Sequence, residues 1–311
     1  MKSQNDKFLI YSFYRFIDIK NIKSVKNNLE HFLKELNIKG TILLSKEGVN
    51  GSISGTESEL ENIIKYLKKL IIVRKIELKI NYVKFLPFKK LKIKIKKEIV
   101  SLGKGKIDIY KHGGKFINPN EWDNIVNNKN IRLIDVRNEY EIKIGSFERS
   151  ENPHTKNFRD FPEAVKKLKI NKNNKIALYC TGGIRCEKAS AYLKLNGYKN
   201  IVQLKGGIIK YLEYSNYKNK KSLWNGECIV FDDRVTINKK LEKGRYIQCY
   251  GCRRPLNKNE TESIYYEKGV SCEHCFHERS QDQKKRSLTR QKQIDFAENH
   301  NNAHPFKKVF K

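Results

Sequence analysis

The sequence predicts an α/β chain in three parts, and three observations lead there. Residues 1–84 alternate apolar runs and amphipathic stretches in the order βαββαβ, the ferredoxin-like split βαβ of a small α+β domain. Residues 113–223 alternate short, nearly uninterrupted apolar runs with helical segments, the pattern of a parallel sheet. In 224–311 two Cys-x-x-Cys pairs stand 19 residues apart, as in a four-cysteine zinc-binding module with a basic tail. A basic linker carrying one strand, 85–112, joins the first two parts.

In the first part, Lys7 to Phe16 reads as a strand and Ile22 to Leu36 as a helix. Thr41 to Leu44 and Ser52 to Ser54 read as strands joined through residues 46–51, whose Asn50-Gly51 pair is turn chemistry. Thr56 followed by Glu59 is a capping-box pattern that opens a helix to about Leu70, and Ile76 to Val83 closes with a strand. The linker is the densest basic stretch, with six lysines among residues 89–97. Leu91, Ile93 and Ile95 alternate with Lys92, Lys94 and Lys96, and Lys97 follows, so one face of a half-buried strand carries the ammonium groups. That face reads equally as a phosphate track or as an edge strand guarded against aggregation.

In the second part, Asn118, Pro119 and Glu121 start a helix through Ile125, and Ile131 to Val136 is a strand. Further helices are read over Glu139 to Ile144 and Phe161 to Leu168. Ile176 to Tyr179 is a buried strand ending at Cys180; from about Ile184 the pattern turns helical, with Gly197 as its C′ residue. Ile201 to Leu204 is a last strand before Gly206-Gly207-Ile208 and a final helix. In a parallel sheet the site lies at the carboxyl ends of the strands, where Asp135 and Cys180 fall. Asp135 is read either as orienting Arg137 or loop amides, or as a carboxylate capping the next helix.

Cys180 is the residue with chemistry. Thr181, Gly182 and Gly183 let the backbone turn its N–H groups inward, making an anion nest at the positive end of a helix. A thiolate is stabilised there, so Cys180 is expected to ionise below the ~8.5 of a free thiol. Arg185 is expected to add a fixed charge at the rim. Cys186 reads either as a resolving thiol or as a packing residue. His154 reads as a polar loop residue or as a residue lining the site.

Cys249, Cys252, Cys272 and Cys275 are the expected ligands of a structural zinc. Arg253 and Arg254 follow the first pair as candidate phosphate contacts. The polar C-terminal end is expected to fray.

Composition excludes some classes. Phe8 to Ile17 is apolar but cut by Arg15 and lacks a small-residue cleavage site, so no signal peptide is read. No apolar run approaches the ~18 residues of a membrane helix. Seven cysteines in reactive and metal-like spacings fit a reducing cytoplasm better than a disulfide framework. The formal charge of +31 points toward nucleic acid, but a chain this rich in Lys, Asn and Ile reflects A/T-rich codons as well.

Two motifs then become specific. Ile134-Asp-Val-Arg-Asn-Glu-Tyr140 and Tyr179-Cys-Thr-Gly-Gly-Ile-Arg-Cys-Glu-Lys-Ala-Ser190 resemble the hallmark motifs of a rhodanese domain. The C-x4-R loop is one residue shorter than that of cysteine phosphatases. The full Cys-Thr-Gly-Gly-Ile-Arg-Cys-Glu-Lys form is similar to that of the tRNA uridine(34) hydroxylases. Further segments support that likeness along nearly the whole chain: Gly40–Gly51, Lys96–Gly103, Asn152–Phe158 and Trp224–Arg234. The resemblance implies a rhodanese-like central domain. It also implies oxygen-dependent hydroxylation of the tRNA wobble uridine to 5-hydroxyuridine, with Cys180 as the catalytic residue and Arg185 and Cys186 at matching positions. Molecular oxygen would be the co-substrate, tRNA the partner and the cytoplasm the place; no electron donor is legible. The isolated loop equally permits a sulfurtransferase carrying a Cys180 persulfide. A non-catalytic tRNA-binding scaffold is the third reading.

Overall fold

The computed structural model describes residues 8–83, 85 and 87–300. It divides into two units, one of residues 1–228 with 237–242, the other of 229–236 with 243–311.

The first unit opens with β1 (Phe8–Phe16), α1 (Ile22–Leu33), β2 (Lys39–Ser45), β3 (Gly48–Gly55), α2 (Glu57–Leu70) and β4 (Glu77–Val83). With β5 (Leu91–Ile95) they form a sheet in the order β4-β1-β3-β2-β5, the ferredoxin-like arrangement extended by one strand. The capping box is present: the Glu59 amide donates to Thr56 Oγ1 and the Thr56 amide to Glu59 Oε2. The expected Asn50-Gly51 turn is not one. Ser45 pairs with Gly48, so the turn is Lys46-Glu47, while Asn50 and Gly51 pair with Leu43 and Ile42 inside β3. Glycine is needed at 51 because a Cβ there would stand 2.6 Å from the ring of Phe13. Leu9, Tyr11 and Phe13 of β1 pack with Val25, Leu29, Leu60 and Ile63 of the two helices. The alternate residues Tyr14 and Phe16 pack instead with Ile99, Ile109 and Ala191. Both faces of β1 are therefore buried, and the second face lies on the next domain.

The lysine strand β5 pairs in parallel with β2 and is the edge of the sheet. Leu91 and Ile93 lean on the core, while Lys94, Lys96 and Lys97 are exposed.

The chain continues through α3 (Ile109–His112), β6 (Lys115–Ile117), a single 3-10 turn at Pro119–Glu121 and α4 (Trp122–Asn127). Next come β7 (Ile131–Asp135), α5 (Glu139–Ile142), β8 (Gly145–Phe147) and α6 (Phe161–Lys167). β9 (Lys175–Tyr179), α7 (Ile184–Leu195), β10 (Asn200–Leu204), α8 (Gly207–Tyr217) and β11 (Trp224–Gly226) complete this domain. The parallel sheet runs β6-β10-β9-β7. Helix α7 is buried almost all round, from Arg185 to Leu193. Cys186, Ala189 and Leu193 face the domain core and Ala191 faces the first domain, which is why no clean amphipathic stripe shows in its sequence. Trp224 of β11 lies in this unit, edge-on to Phe147 of β8 at 5.2 Å.

In the second unit the short strands Ile247–Gln248 and Pro255–Leu256 pair antiparallel, and helices span Lys258–Thr261 and Gln281–Asn299. The last helix begins with a Ser280–Gln283 capping box and runs into the stretch expected to fray; residues 301–311 lie outside the described residues. Among the described residues no helix is long and apolar enough to cross a membrane.

Candidate functional site

The loop after β9 is held by its carbonyls. The second and third amides of α8 donate to it, Ile208 N–H to the Cys180 oxygen at 3.0 Å and Ile209 N–H to the Thr181 oxygen at 3.2 Å. The third carbonyl, of Gly182, accepts from Lys79 Nζ at 2.6 Å. In a trans peptide the N–H points away from the C=O, so tying successive oxygens outward turns the amides inward. One inward contact is direct: the Gly183 amide donates to Cys180 Sγ at 3.1 Å. Gly183 has φ +100 and heads α7, a conformation that L side chains rarely adopt. Gly207 is equally constrained, since a Cβ there would meet the Cys180 oxygen at 2.4 Å.

Cys180 is wholly buried, and burial alone would suppress its ionisation. Hydrogen bonds from Cys186 and the Gly183 amide, together with the charge of Arg185, outweigh that, and the thiol is pulled down to about 5. Cys186 moves the opposite way: burial and its bond to the Cys180 sulfur push it well above the usual thiol range. A third thiol, Cys228, is pushed up by burial to about 12 and is bonded to Thr181.

Arg185 does not stand at an open rim. Its side chain is only 9% exposed, and its two terminal nitrogens grip Glu141 at 2.6 and 2.8 Å, one of them reaching Thr181 Oγ1 at 3.4 Å. Glu141 is itself buried; burial raises its pKa, but the Arg185 guanidinium holds it below the usual carboxylate range. A guanidinium in the helix's first turn needs a counter-charge once covered, and α5 supplies it. Asp135 binds the Arg137 amide at 3.0 Å and the Arg137 guanidinium at 2.5 Å, both side chains being fully buried. Arg137 also donates to the Gly145 oxygen at 2.6 Å and lies over Trp224. Asp135 thus contacts both the backbone and the side chain of Arg137. His154 is exposed and bonds Glu139 at 3.2 Å.

In the second unit the sulfurs of Cys249, Cys252, Cys272 and Cys275 lie within 4.8 Å of one another. The separations are 4.0 Å for Cys249–Cys275, 3.8 Å for Cys252–Cys272 and 3.9 Å for Cys272–Cys275. A tetrahedron with Zn–S bonds of about 2.3 Å has edges of roughly 3.8 Å, so four thiolates here fit zinc. The cluster can bind a metal such as zinc. Arg254 donates to the His274 oxygen of the second knuckle at 3.5 Å, whereas Arg253 is exposed.

A UPF0176 acylphosphatase-like domain matches residues 8–99, and a rhodanese-like domain matches residues 118–214. The chain therefore joins a UPF0176 acylphosphatase-like domain to a rhodanese-like domain. Among solved structures the chain is similar to a rhodanese-related protein of Thermoplasma volcanium (30% identity, TM-score 0.27), covering 32% of this chain and 92% of that one. A rhodanese-like domain protein of Staphylococcus aureus has 26% identity and a TM-score of 0.27, over 31% and 90% of the two chains. A single-domain sulfurtransferase of Saccharomyces cerevisiae has 21% identity and a TM-score of 0.29, over 35% and 96%.

Sequence reasoning missed four residues around the loop. Glu141 is one; its signal was present, since it sits three residues after Asn138 and its carboxylate accepts from the Asn138 amide. Lys79, Tyr14 and Glu187 are the others. Tyr14 Oη donates to Glu187 Oε1 at 2.5 Å, and a Cβ on Gly183 would lie 3.0 Å from that hydroxyl. Burial raises Glu187 to about 7.

Proposed function

We propose that this protein hydroxylates the wobble uridine of tRNA at C5, with dioxygen as co-substrate and Cys180 as the catalytic residue, in the cytoplasm. The observation that carries this reading is the low-pKa Cys180 in its tied-back loop, within a chain that joins a UPF0176 acylphosphatase-like domain to a rhodanese-like domain. A thiolate that adds to C6 of uracil makes C5 electron-rich. One oxygen atom of dioxygen then ends on C5 in place of the C5 proton, the C6–S bond breaks to return the thiolate, and the second oxygen leaves as water. Two electrons and two protons balance that water, and a small thiol is the donor to supply in the assay. Lys92, Lys94, Lys96 and Lys97 beside β2, with Arg253 and Arg254 on the four-cysteine unit, are the proposed contacts to tRNA phosphates. Anticodon loops suit this chemistry because their bases already splay from the stack.

The test incubates purified protein with unmodified tRNA, dioxygen and a thiol, and then analyses the nucleosides by mass spectrometry. 5-Hydroxyuridine formed by the wild type and absent with Cys180→Ser supports the reading. Formation of 2-thiouridine, or brisk turnover of thiosulfate with uridine unchanged, replaces it with a sulfurtransferase. Binding of tRNA with neither product leaves a scaffold.

A further inference from the structure

The Gly182–Gly183 peptide has two partners. Its N–H donates to Cys180 Sγ at 3.1 Å, and its C=O accepts from Lys79 Nζ at 2.6 Å. The first partner is in the loop; the second comes from β4 of the other domain. We infer that Lys79 is a positioning residue for the Cys180 thiolate, acting through this shared peptide. The inference rests on the reading of Cys180 as a reactive thiolate and assigns the first domain a part in the same site.

Three features make the contact a built one. The loop's other two carbonyls, of Cys180 and Thr181, are taken by the amides of Ile208 and Ile209, so Lys79 completes the set. Without it the Gly182 oxygen would have no outward anchor, and the peptide could rotate its N–H away from sulfur. Second, Lys79 sits in a strand paired with β1 at Ser12, and its side chain is buried, a costly place for an ammonium. What offsets that cost is the company the ammonium keeps: the Gly182 oxygen, the Tyr14 ring and the anionic groups around it. Third, a charged donor polarises the peptide along the C=O···H–N⁺ direction, strengthening the N–H at its other end.

The groups facing Lys79 come from every element around it: Glu77 on its own strand, Tyr14 on β1, Cys180 in the loop, Glu187 on α7 and Glu213 on α8. Burial lowers the Lys79 pKa, and Cys180 and the three carboxylates oppose that. Cys180 in turn faces Cys186, Arg185 and the Gly183 amide.

The experiment follows the rate of iodoacetamide labelling of the Cys180 peptide against pH, by mass spectrometry, in the full chain. Replacing Lys79 by Met removes donor and charge; replacing it by Gln keeps a neutral donor. Lys79→Met should raise the labelling midpoint by about one pH unit, a tenfold shift in the thiol–thiolate ratio, and Lys79→Gln by less. A change in access alone alters the plateau rate and not the midpoint. Thermal melting checks the fold, and if the Met variant does not fold the Gln variant decides. A low wild-type midpoint that neither folded variant moves overturns the role of Lys79 alone. A wild-type midpoint at or above about 8.5 overturns the thiolate as well.

Discussion

Lys188 Nζ stands 2.7 Å from Glu47 Oε2 and is wholly buried. Glu47 is in the β2–β3 turn, Lys188 in the helix that follows the Cys180 loop. Glu98 lies 2.5 Å from the same ammonium, and the Val100 oxygen is 3.0 Å away. Two segments far apart in sequence therefore close on a cation carried by a third, and the Glu47 carboxylate further accepts from the Ile99 amide at 2.8 Å.

Removing the cation leaves two largely covered carboxylates without their counter-charge. Lys188→Ala should cost about 3 kcal/mol or more of folding stability, seen as a lower denaturant midpoint. Glu98 adds a pH dependence. Burial raises its pKa, but the bond to Lys188 and two backbone amides hold it below the ordinary value. A depressed folded pKa contributes stability above the unfolded pKa and loses it as pH falls through the folded one. The wild type should therefore weaken on acidification below pH ~4.5, and Glu98→Gln should flatten that slope. An unchanged midpoint for Lys188→Ala would show that the network is not a strut.

Cys186 donates to Cys180 and is itself pushed far above the thiol range, so it is a poor nucleophile at neutral pH. Cys186→Ala should retain multiple-turnover activity while raising the Cys180 labelling midpoint from near 5. Loss of turnover that added reductant restores would instead assign Cys186 a resolving role.

The four-cysteine cluster predicts about one zinc per chain by metal analysis of purified protein. Cys249→Ser and Cys272→Ser should each lose it and destabilise the unit that holds it. A folded, metal-free wild-type preparation would contradict the assignment.

Lys94 and Lys96 lie exposed on the edge strand. If they meet tRNA phosphates, the pair Lys94→Ala with Lys96→Ala should weaken binding and reduce the slope of log K against log salt by about 1.5. Cys180 labelling should not change. Identical slopes would leave β5 as a guarded edge and no more.

Much of this was legible in the sequence for identifiable reasons. The succession of strands and helices in the first domain followed from apolar periodicity, and the capping box at Thr56 from two side chains three residues apart. Cys180 stood out because a cysteine, two glycines and a helix start form a local pattern. The Asn50-Gly51 turn failed because the pair's turn preference gave way to sheet pairing and to the Phe13 ring over Gly51. Lys79 was illegible for a stronger reason. In Glu77–Val83 it alternates with apolar residues as a solvent-facing lysine does, and only the docking of the second domain buries that face. Arg185 looked like a rim charge because its partner, Glu141, is 44 residues away in sequence. Contacts of that kind leave no periodicity to read.

The central claim is that Cys180 directs dioxygen onto uridine. The most direct measurement supplies oxygen-18 dioxygen to purified protein, unmodified tRNA and a thiol, then weighs the modified nucleoside. The account predicts 5-hydroxyuridine heavier by the isotope, formed by the wild type and absent with Cys180→Ser. An unlabelled hydroxyl, or equal product from the serine variant, would contradict it.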